Sequence, residues 1–548
     1  MQIPLEFQSR RSPVLGRRGM VATSQPLAVA AGLEILRQGG TAADAAVATA
    51  AALNVTEPTS TGIGGDCFAL YYDASTRQVS ALNGSGRAPA ALTLERLQRE
   101  GYQDELPPYH AYTVTVPGAC AGWCDLVGRF GRLEMAAVLA PAIQLAQHGY
   151  PVAPLTARSW QAGAANQLRT APGGQELTID GRAPHPGEIF RNPGLVRTFQ
   201  RVAEGGAAAF YQGEIAEAIA RVVQGAGGCL TVDDLAAHHS TWDQPINVMY
   251  RGYRLWECPP NGQGLAALLG LNILEGFDLA GMPPLSAQRL HLGIEAMRLA
   301  FADCRQVIAD PAFSEIPLET LLSKEYAAHR RALINPQRAT LYQTAGVPIA
   351  GSDTVYLSVV DVEGNACSFI NSNYMGFGTG IVPSGWGFSL QNRGHNFSLD
   401  PHHPNCVAPG KRPYHTIIPG MITRPASPGS QEGEELFASF GVMGGFMQPQ
   451  GHLQVASALI DDRLDPQSAL DRPRFCILNG DAGGSVALEE GIPLPVMSEL
   501  SSMGHSVNPV SGYGRSVFGR GQVILRLAEQ GALWAGSDPR ADGCAMTL

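Results

Sequence analysis

No run of about 18 uncharged apolar residues occurs in the chain, so a membrane-spanning helix is not expected. The nearest approach, AADAAVATAAALNV at 42–55, is too short and contains Asp44. Charge is also sparse, at 16% of residues. The net charge of -10 lacks the basic surplus that a nucleic-acid binder needs. The first residues, MQIPLEFQSRRSPVLGRRG, carry arginines but no apolar run of signal-peptide length, which points to a cytoplasmic location. Cysteine pairs are missing too. Among ten cysteines only Cys120 and Cys124 lie close, as C-x-x-x-C, with no histidine-rich partner nearby, so they read as buried thiols. The glycine-rich STGIGGD at 60–66 is followed by no G-K-[ST] and reads as a tight loop bringing backbone to a site. G-x-S-x-G and H-E-x-x-H are absent. His395, His402, His403 and His415 therefore read as solvated or site-lining groups, with no metal expected.

What is present is a globular composition: 45% hydrophobic residues for a large core, with 64 glycines and 39 prolines for many turns. Ser24 is expected to cap a helix from Pro26, and Thr41 a more apolar, buried one. Strands are expected at 67–72 and 78–83, mostly helix over 92–225, a capped helix start at LTVDDLAAH (230–238), a strand pair within 247–260 and a long helix at 285–308. The polar, turn-rich stretch 332–352 reads as a linker. Beyond it come strands at 354–361, 366–371, 386–390, 414–423 and 436–440, a helix at 450–461, and strands near 484–488 and 521–526. Helices and hairpins mixed this way, with few βαβ crossovers, predict α+β: antiparallel sheets covered by helices.

One junction carries chemistry. In GSDTVYLSVVDVEGNA (351–366), a small polar run meets a β-branched strand at Thr354. An internal threonine hydroxyl is a weak nucleophile. A chain-terminal threonine brings its own base, an α-amine with a reference pKa of about 7.7–8.0. Exposing that amine requires cutting the bond between Asp353 and Thr354. In GVMGGFMQPQGH (441–452), Gly444 and Gly445 read either as a plain turn or as backbone N–H donors for an oxyanion.

The ordered series GMVATSQPLAVAAGLEILRQGGTAADAAVA, TSTGIGGDCFALYY, VPGACAGW, LTVDDL, PPNGQG, EAMRLAFADCRQVIADPAF, DTVYLSVVD, GFGTGIV, GKRPYHTIIP, GVMGG and GSDPRADG resembles the γ-glutamyltransferase family of N-terminal-nucleophile hydrolases over about residues 19–545. The subgroup it resembles holds oxamate amidohydrolases and cephalosporin acylases. The resemblance implies a four-layer αββα sandwich, built as one intertwined domain. It implies a precursor cut into a large subunit, 1–353, and a small subunit, 354–548. The two would remain together as a heterodimer, and a dimer of heterodimers is left open. It implies Thr354 as nucleophile and, through its freed α-amine, as base. Gly444 and Gly445 become the oxyanion pair, and Ser372 supports the nucleophile. No cofactor is implied.

The substrate-binding residues depart from the family pattern. Ser85 stands where the family has a carboxylate-gripping arginine, in GSGRAPA (84–90). Arg87, two residues on, is expected to face the same side of a strand and to take over. Asn396 replaces the carboxylate that holds the substrate's α-amine, and Arg393 stands at a glutamine position. His415 and Thr416 replace a double serine, and Tyr374 completes the candidate binding set. The segment LDPHHPNCVAP is too short for the family's lid. A pocket that loses an anion and gains arginine favours an acid without an α-amino group. The expectation is therefore a small carboxylated amide, oxamate-like. The alternatives are a γ-glutamyl hydrolase or transferase acting on glutathione, and an uncleaved, non-catalytic binding protein of the same fold.

Overall fold

A computed structural model describes residues 11–340, 354–426, 433–527 and 530–548. Asp353 and most of the expected linker lie outside the described residues.

Two seven-stranded sheets stack face to face, and every pairing within them is antiparallel. In spatial order the first runs Val14–Gly16, Ala532–Ser537, Arg520–Leu527, Glu434–Met443, Gly420–Pro425, Tyr253–Glu257, Ile246–Tyr250. The second runs Cys544–Thr547, Met20–Thr23, Val355–Val360, Ala366–Ser372, Asp66–Asp73, Gln78–Gly84, Thr241–Asp243. Each sheet takes strands from both sides of Thr354, so neither stretch of chain has a complete sheet of its own.

Helices cover the outer faces. Ala42–Thr56 is buried along its whole length. Its alanines let it lie close on Val355–Val360, and Thr41 and Asp44 form a reciprocal capping box at its start. Gly264–Leu274 is likewise fully buried, over Ile246–Tyr250, and Met447–Ile460 covers Glu434–Met443. Helix, sheet, sheet, helix gives the expected four layers. Val355–Val360 is buried at every residue because one face meets the Ala42–Thr56 helix and the other meets the first sheet. Its polar side chains are paired: Ser358 Oγ donates across that gap to Ser439 Oγ at 2.6 Å, and Tyr356 Oη meets Ser368 Oγ of the neighbouring strand at 2.8 Å.

Several expectations are corrected. Gln25, not Ser24, takes the N-cap position before Pro26 and makes no side-chain cap bond, because the Ser24 hydroxyl is drawn to the Glu57 carboxylate. No strand forms at 386–390. The expected strand at 414–423 begins only at Gly420. Before it, the backbone of His415 bonds to Asn261 O and Gln263 N at 2.9 Å each, which draws this stretch to the loop after Glu257. The Gln78–Gly84 strand stops before Arg87, so strand alternation does not carry Arg87 to the side of Ser85.

Candidate active site

The antiparallel order gathers one end of each sheet. In the second sheet Val355 pairs with Asn371 and Ser372 with Asp66, so Thr354, Ser372 and Asp66 emerge side by side. In the first sheet Met443 leads into Gly444, Glu257 leads towards Gln263, and Gly420 is preceded by His415 and Thr416. The tight loop at 60–66 is closed by contact. A Cβ on Gly65 would stand 2.3 Å from the Ser372 carbonyl oxygen, so only glycine lets that loop lie against the end of the Ser372 strand.

Thr354 is fully buried, and its Oγ1 lies 3.1 Å from Ser372 Oγ. Ser372 Oγ accepts from the Tyr374 amide at 2.8 Å and from Arg393 Nη2 at 3.2 Å. With two N–H groups on its lone pairs, its own proton is what it can offer Thr354. Tyr374 sits at φ 81, a left-handed conformation that costs a bulky residue strain. The surroundings hold it there: its hydroxyl donates to Asn396 Oδ1 at 2.6 Å, and the Arg393 guanidinium stacks 4.3 Å from its ring centre.

Arg393 is the unusual charge. It is wholly buried. Nη1 donates to Thr416 Oγ1 at 2.7 Å, Nη2 donates to Ser372, and Nε has no partner. Among the described residues no carboxylate pairs with it. Burial pulls its pKa down to about 10, which still leaves it charged at neutral pH. A desolvated cation without an anion is expensive.

Among the described residues, the carboxylate whose charge reaches Arg393 is Asp66, and it is already engaged. Asp66 Oδ1 accepts from the amides of Gly86 (3.0 Å) and Gly118 (3.1 Å) and from Gln391 Nε2 (3.0 Å), while Oδ2 meets His415 Nε2 at 2.9 Å. Burial, then the charge of Arg393, drives His415 down to about 3, so the ring is neutral and its Nε2–H serves Asp66. His415 therefore brings no positive charge to the site. A histidine held neutral in the fold adds stability that is fully present above about pH 6.5 and is lost as the pH falls towards 3. Across that window the unfolding free energy of the wild type should fall more steeply than that of His415→Gln, by about 1.4 kcal/mol per pH unit. Parallel curves in a denaturant titration would refute this.

Gly444 (φ 135) and Gly445 (φ 56) have backbone conformations that suit glycine. The Gly444 carbonyl accepts from the Met447 amide at 2.9 Å. The Gly445 carbonyl accepts from Gln448 at 3.2 Å and from Gln263 Nε2 at 2.9 Å. Both carbonyls are thereby fixed, and neither glycine amide donates to a described group. Gln263 also donates to Thr416 O at 2.6 Å, tying the glycine turn to the segment that anchors Arg393.

Two predicted residues lie elsewhere. Ser85 is buried against Asn261, whose Nδ2 donates to its Oγ at 3.2 Å. Arg87 is half-buried and donates to the His239 carbonyl at 3.1 Å; it joins neither Thr354 nor Arg393. The four histidines of the 395–415 stretch do not converge: His395 bonds Leu106 O and His403 bonds Arg305 O. Asp66, Gln263 and Gln391 escaped sequence reasoning. The first two lie in GIGGD and PPNGQG, but key partners are far off in the chain: His415 is 349 positions from Asp66, and Gly445 is 182 from Gln263.

Beside the cluster is a cavity of about 630 Å³ bordered by Met375, Gly376, Arg158, Tyr513 and Arg520. Met375 directly follows Tyr374, and Arg520 pairs with Met443, the residue before Gly444. The cavity thus touches the loop after Ser372 and the strand beside the glycine turn.

Two stacked antiparallel sheets between helical layers, with a threonine at the start of a central strand, are the architecture of the N-terminal-nucleophile hydrolases. The chain belongs to the gamma-glutamyltranspeptidase family, whose sequence profile matches residues 28–548. It is 36% identical over 540 residues to a glutathione hydrolase-like proenzyme of Bacillus subtilis, an alignment covering 98% of this chain and 99% of that protein. It is 33% identical over 541 residues to an oxamate amidohydrolase proenzyme of Klebsiella pneumoniae, covering 96% and 98%. The crystal structure of a cephalosporin acylase from Bacillus halodurans superposes with a TM-score of 0.91 at 46% identity, covering 100% of this chain and 99% of that one. No helix among the described residues is long and apolar enough to cross a membrane.

Proposed function

We propose that this chain is a precursor that cuts itself between Asp353 and Thr354, and then hydrolyses the amide bond of a small carboxylated amide of the oxamate kind. In the cut, Thr354 Oγ1 attacks the Asp353 carbonyl carbon and the peptide C–N bond breaks. Water then hydrolyses the resulting ester. The Asp353 carboxylate and a free Thr354 α-amine are left, on fragments of 353 and 195 residues that share both sheets.

In turnover the α-amine takes the Thr354 hydroxyl proton, and Oγ1 attacks the substrate's amide carbon. The amides of Gly444 and Gly445 receive the oxyanion, a contribution of about 3–4 kcal/mol per donor in comparable sites. Ser372 steadies Oγ1. The C–N bond breaks, ammonia or an amine leaves with the proton, and water resolves the acyl-ester. Arg393, with Thr416 and Tyr374 fixing its plane, takes the substrate's carboxylate.

The buried guanidinium two hydrogen bonds from Thr354, which pairs with no carboxylate among the described residues, carries this reading. It is supported by the relative named oxamate amidohydrolase. The relative named glutathione hydrolase-like keeps a second reading in view, γ-glutamyl transfer or hydrolysis. A γ-glutamyl group brings an ammonium that needs an anion. Here Asn396 stands in the way, with Oδ1 accepting from Tyr374 and Nδ2 donating to Tyr414 O at 3.0 Å.

Ammonia release from oxamate, compared with aniline release from a γ-glutamyl anilide, separates the two. The expectation is a kcat/KM for oxamate at least about 100-fold higher, the cost of roughly 3 kcal/mol for an unpaired ammonium. Robust turnover of the anilide alone sinks the oxamate-like assignment.

A further inference from the structure

Away from Thr354, the helix Ala287–Val307 carries a buried polar cluster that the proposed chemistry does not use. His291 and Glu295 stand one turn apart on the same face. His505, between the helix Leu494–Ser502 and the strand Val507–Val510, meets them. Their relative exposures are 0%, 0% and 3%, and one ligating atom from each lies within 4.8 Å of the other two.

We propose that His291, Glu295 and His505 form a structural site for a divalent transition-metal ion of the zinc class. Two imidazoles and one carboxylate are a donor set that suits zinc, and they exclude magnesium and calcium, which take oxygen ligands.

Several features favour an ion over a merely hydrogen-bonded cluster. His291 Nε2–H donates to the Asn335 carbonyl at 2.8 Å, the outer contact that fixes a ligating histidine's tautomer and leaves Nδ1 with its lone pair. That Nδ1 faces His505 Nε2 at 2.8 Å, so opening the pair by about half an ångström reaches the ~3.3 Å spacing that bonds of 2.0–2.1 Å at tetrahedral angles require. Glu295 Oε2 accepts from the Thr340 amide at 2.9 Å, but Oε1 has no hydrogen-bond donor. The nearest cation, Arg298 Nε, stands 3.6 Å from Oε1, too far for a hydrogen bond, and the Arg298 guanidinium is directed to the Ala482 and Gly484 carbonyls.

An ion here fastens three stretches of chain. They are the long helix, the segment around His505, and residues 335–340, whose Asn335 and Thr340 supply the outer contacts and whose Ala339 amide bonds Met503 O at 2.7 Å. Its place is in stability, not in amide cleavage.

The test uses the full-length protein, stripped with EDTA, passed through gel filtration, incubated with zinc chloride and filtered again. The expected results are about one zinc per chain by mass spectrometry and a Tm at least ~2 °C above that of the stripped protein. The double variant His291→Ala/His505→Ala should retain less than a tenth of that zinc. His505→Gln, which keeps a hydrogen-bond donor, covers the case in which the double variant does not fold. Failure of wild type to retain zinc, or equal zinc on wild type and His505→Gln, overturns the proposal and leaves a neutral histidine pair. The wild-type titration alone suffices for the first of these outcomes.

Discussion

Thr354→Ala, freshly purified and weighed intact under denaturing conditions, is expected to appear as one species of the full 548 residues and to release no ammonia from oxamate. The wild type should resolve into fragments of 353 and 195 residues, the smaller beginning at Thr354. Both effects follow from a single oxygen. Thr354 Oγ1 is the only atom at that position able to attack the Asp353 carbonyl. In the proposed mechanism the same oxygen, once the bond is cut, attacks the substrate. Alanine removes it while leaving Val355–Val360, and hence both sheets, in place. Loss of activity should therefore be at the level of background, with an unchanged Tm for the uncut chain.

Ser372→Ala offers a graded companion. It removes the hydroxyl 3.1 Å from Oγ1 without removing the nucleophile, so slowed cleavage, not absent cleavage, is expected. A wild-type chain that stays whole for days while holding its fold would overturn the nucleophile and turn attention to the binding-protein reading.

How much of this was visible in the sequence depends on how far apart in the chain the interacting groups lie. The strand starting after Thr354 was legible because β-branched residues and a tight turn are local signals. So were the helix caps at Thr41 and at the start of LTVDDLAAH, which the structure completes as capping boxes. The layer architecture and the glycine turn were legible through the ordered series of family motifs. Arg393 was legible as a cation where the family has none. That no described carboxylate pairs with it was not, because this depends on Asp66, 327 positions upstream, being already engaged with His415. That His415 is neutral was not legible for the same reason: burial and the nearby guanidinium, neither visible locally, hold it so. Arg87 failed because the strand it was counted along ends at Gly84. Ser24 failed because a buried carboxylate from another segment outcompeted the local cap. Asp66 and Gln263 act by holding other groups, and no spacing rule marks such a residue.

Arg393→Gln should lower kcat/KM for oxamate by roughly 10- to 200-fold, the range of about 1.5–3 kcal/mol for a hydrogen bond to a charged group. The fall alone does not identify the role, since Arg393 also donates to Ser372 and supports the strained Tyr374. Two further readouts do. The first is the preference for oxamate over its neutral diamide. A guanidinium that holds the carboxylate gives wild type a large preference, and Arg393→Gln should erase it while changing diamide turnover little. The second is self-cleavage, which uses Thr354 and Ser372 but involves no substrate carboxylate, and which should survive in Arg393→Gln. A variant that keeps its preference and loses self-cleavage would show that Arg393 only positions Ser372. Stability adds an independent check. Removing a buried cation that pairs with no described carboxylate relieves a desolvation cost, so Arg393→Met should melt no lower than wild type, whereas breaking a satisfied buried pair costs about 3–5 kcal/mol. A Tm drop on that scale would mean that the charge already has its partner within the folded chain, and the substrate's carboxylate would then have to be held by another group.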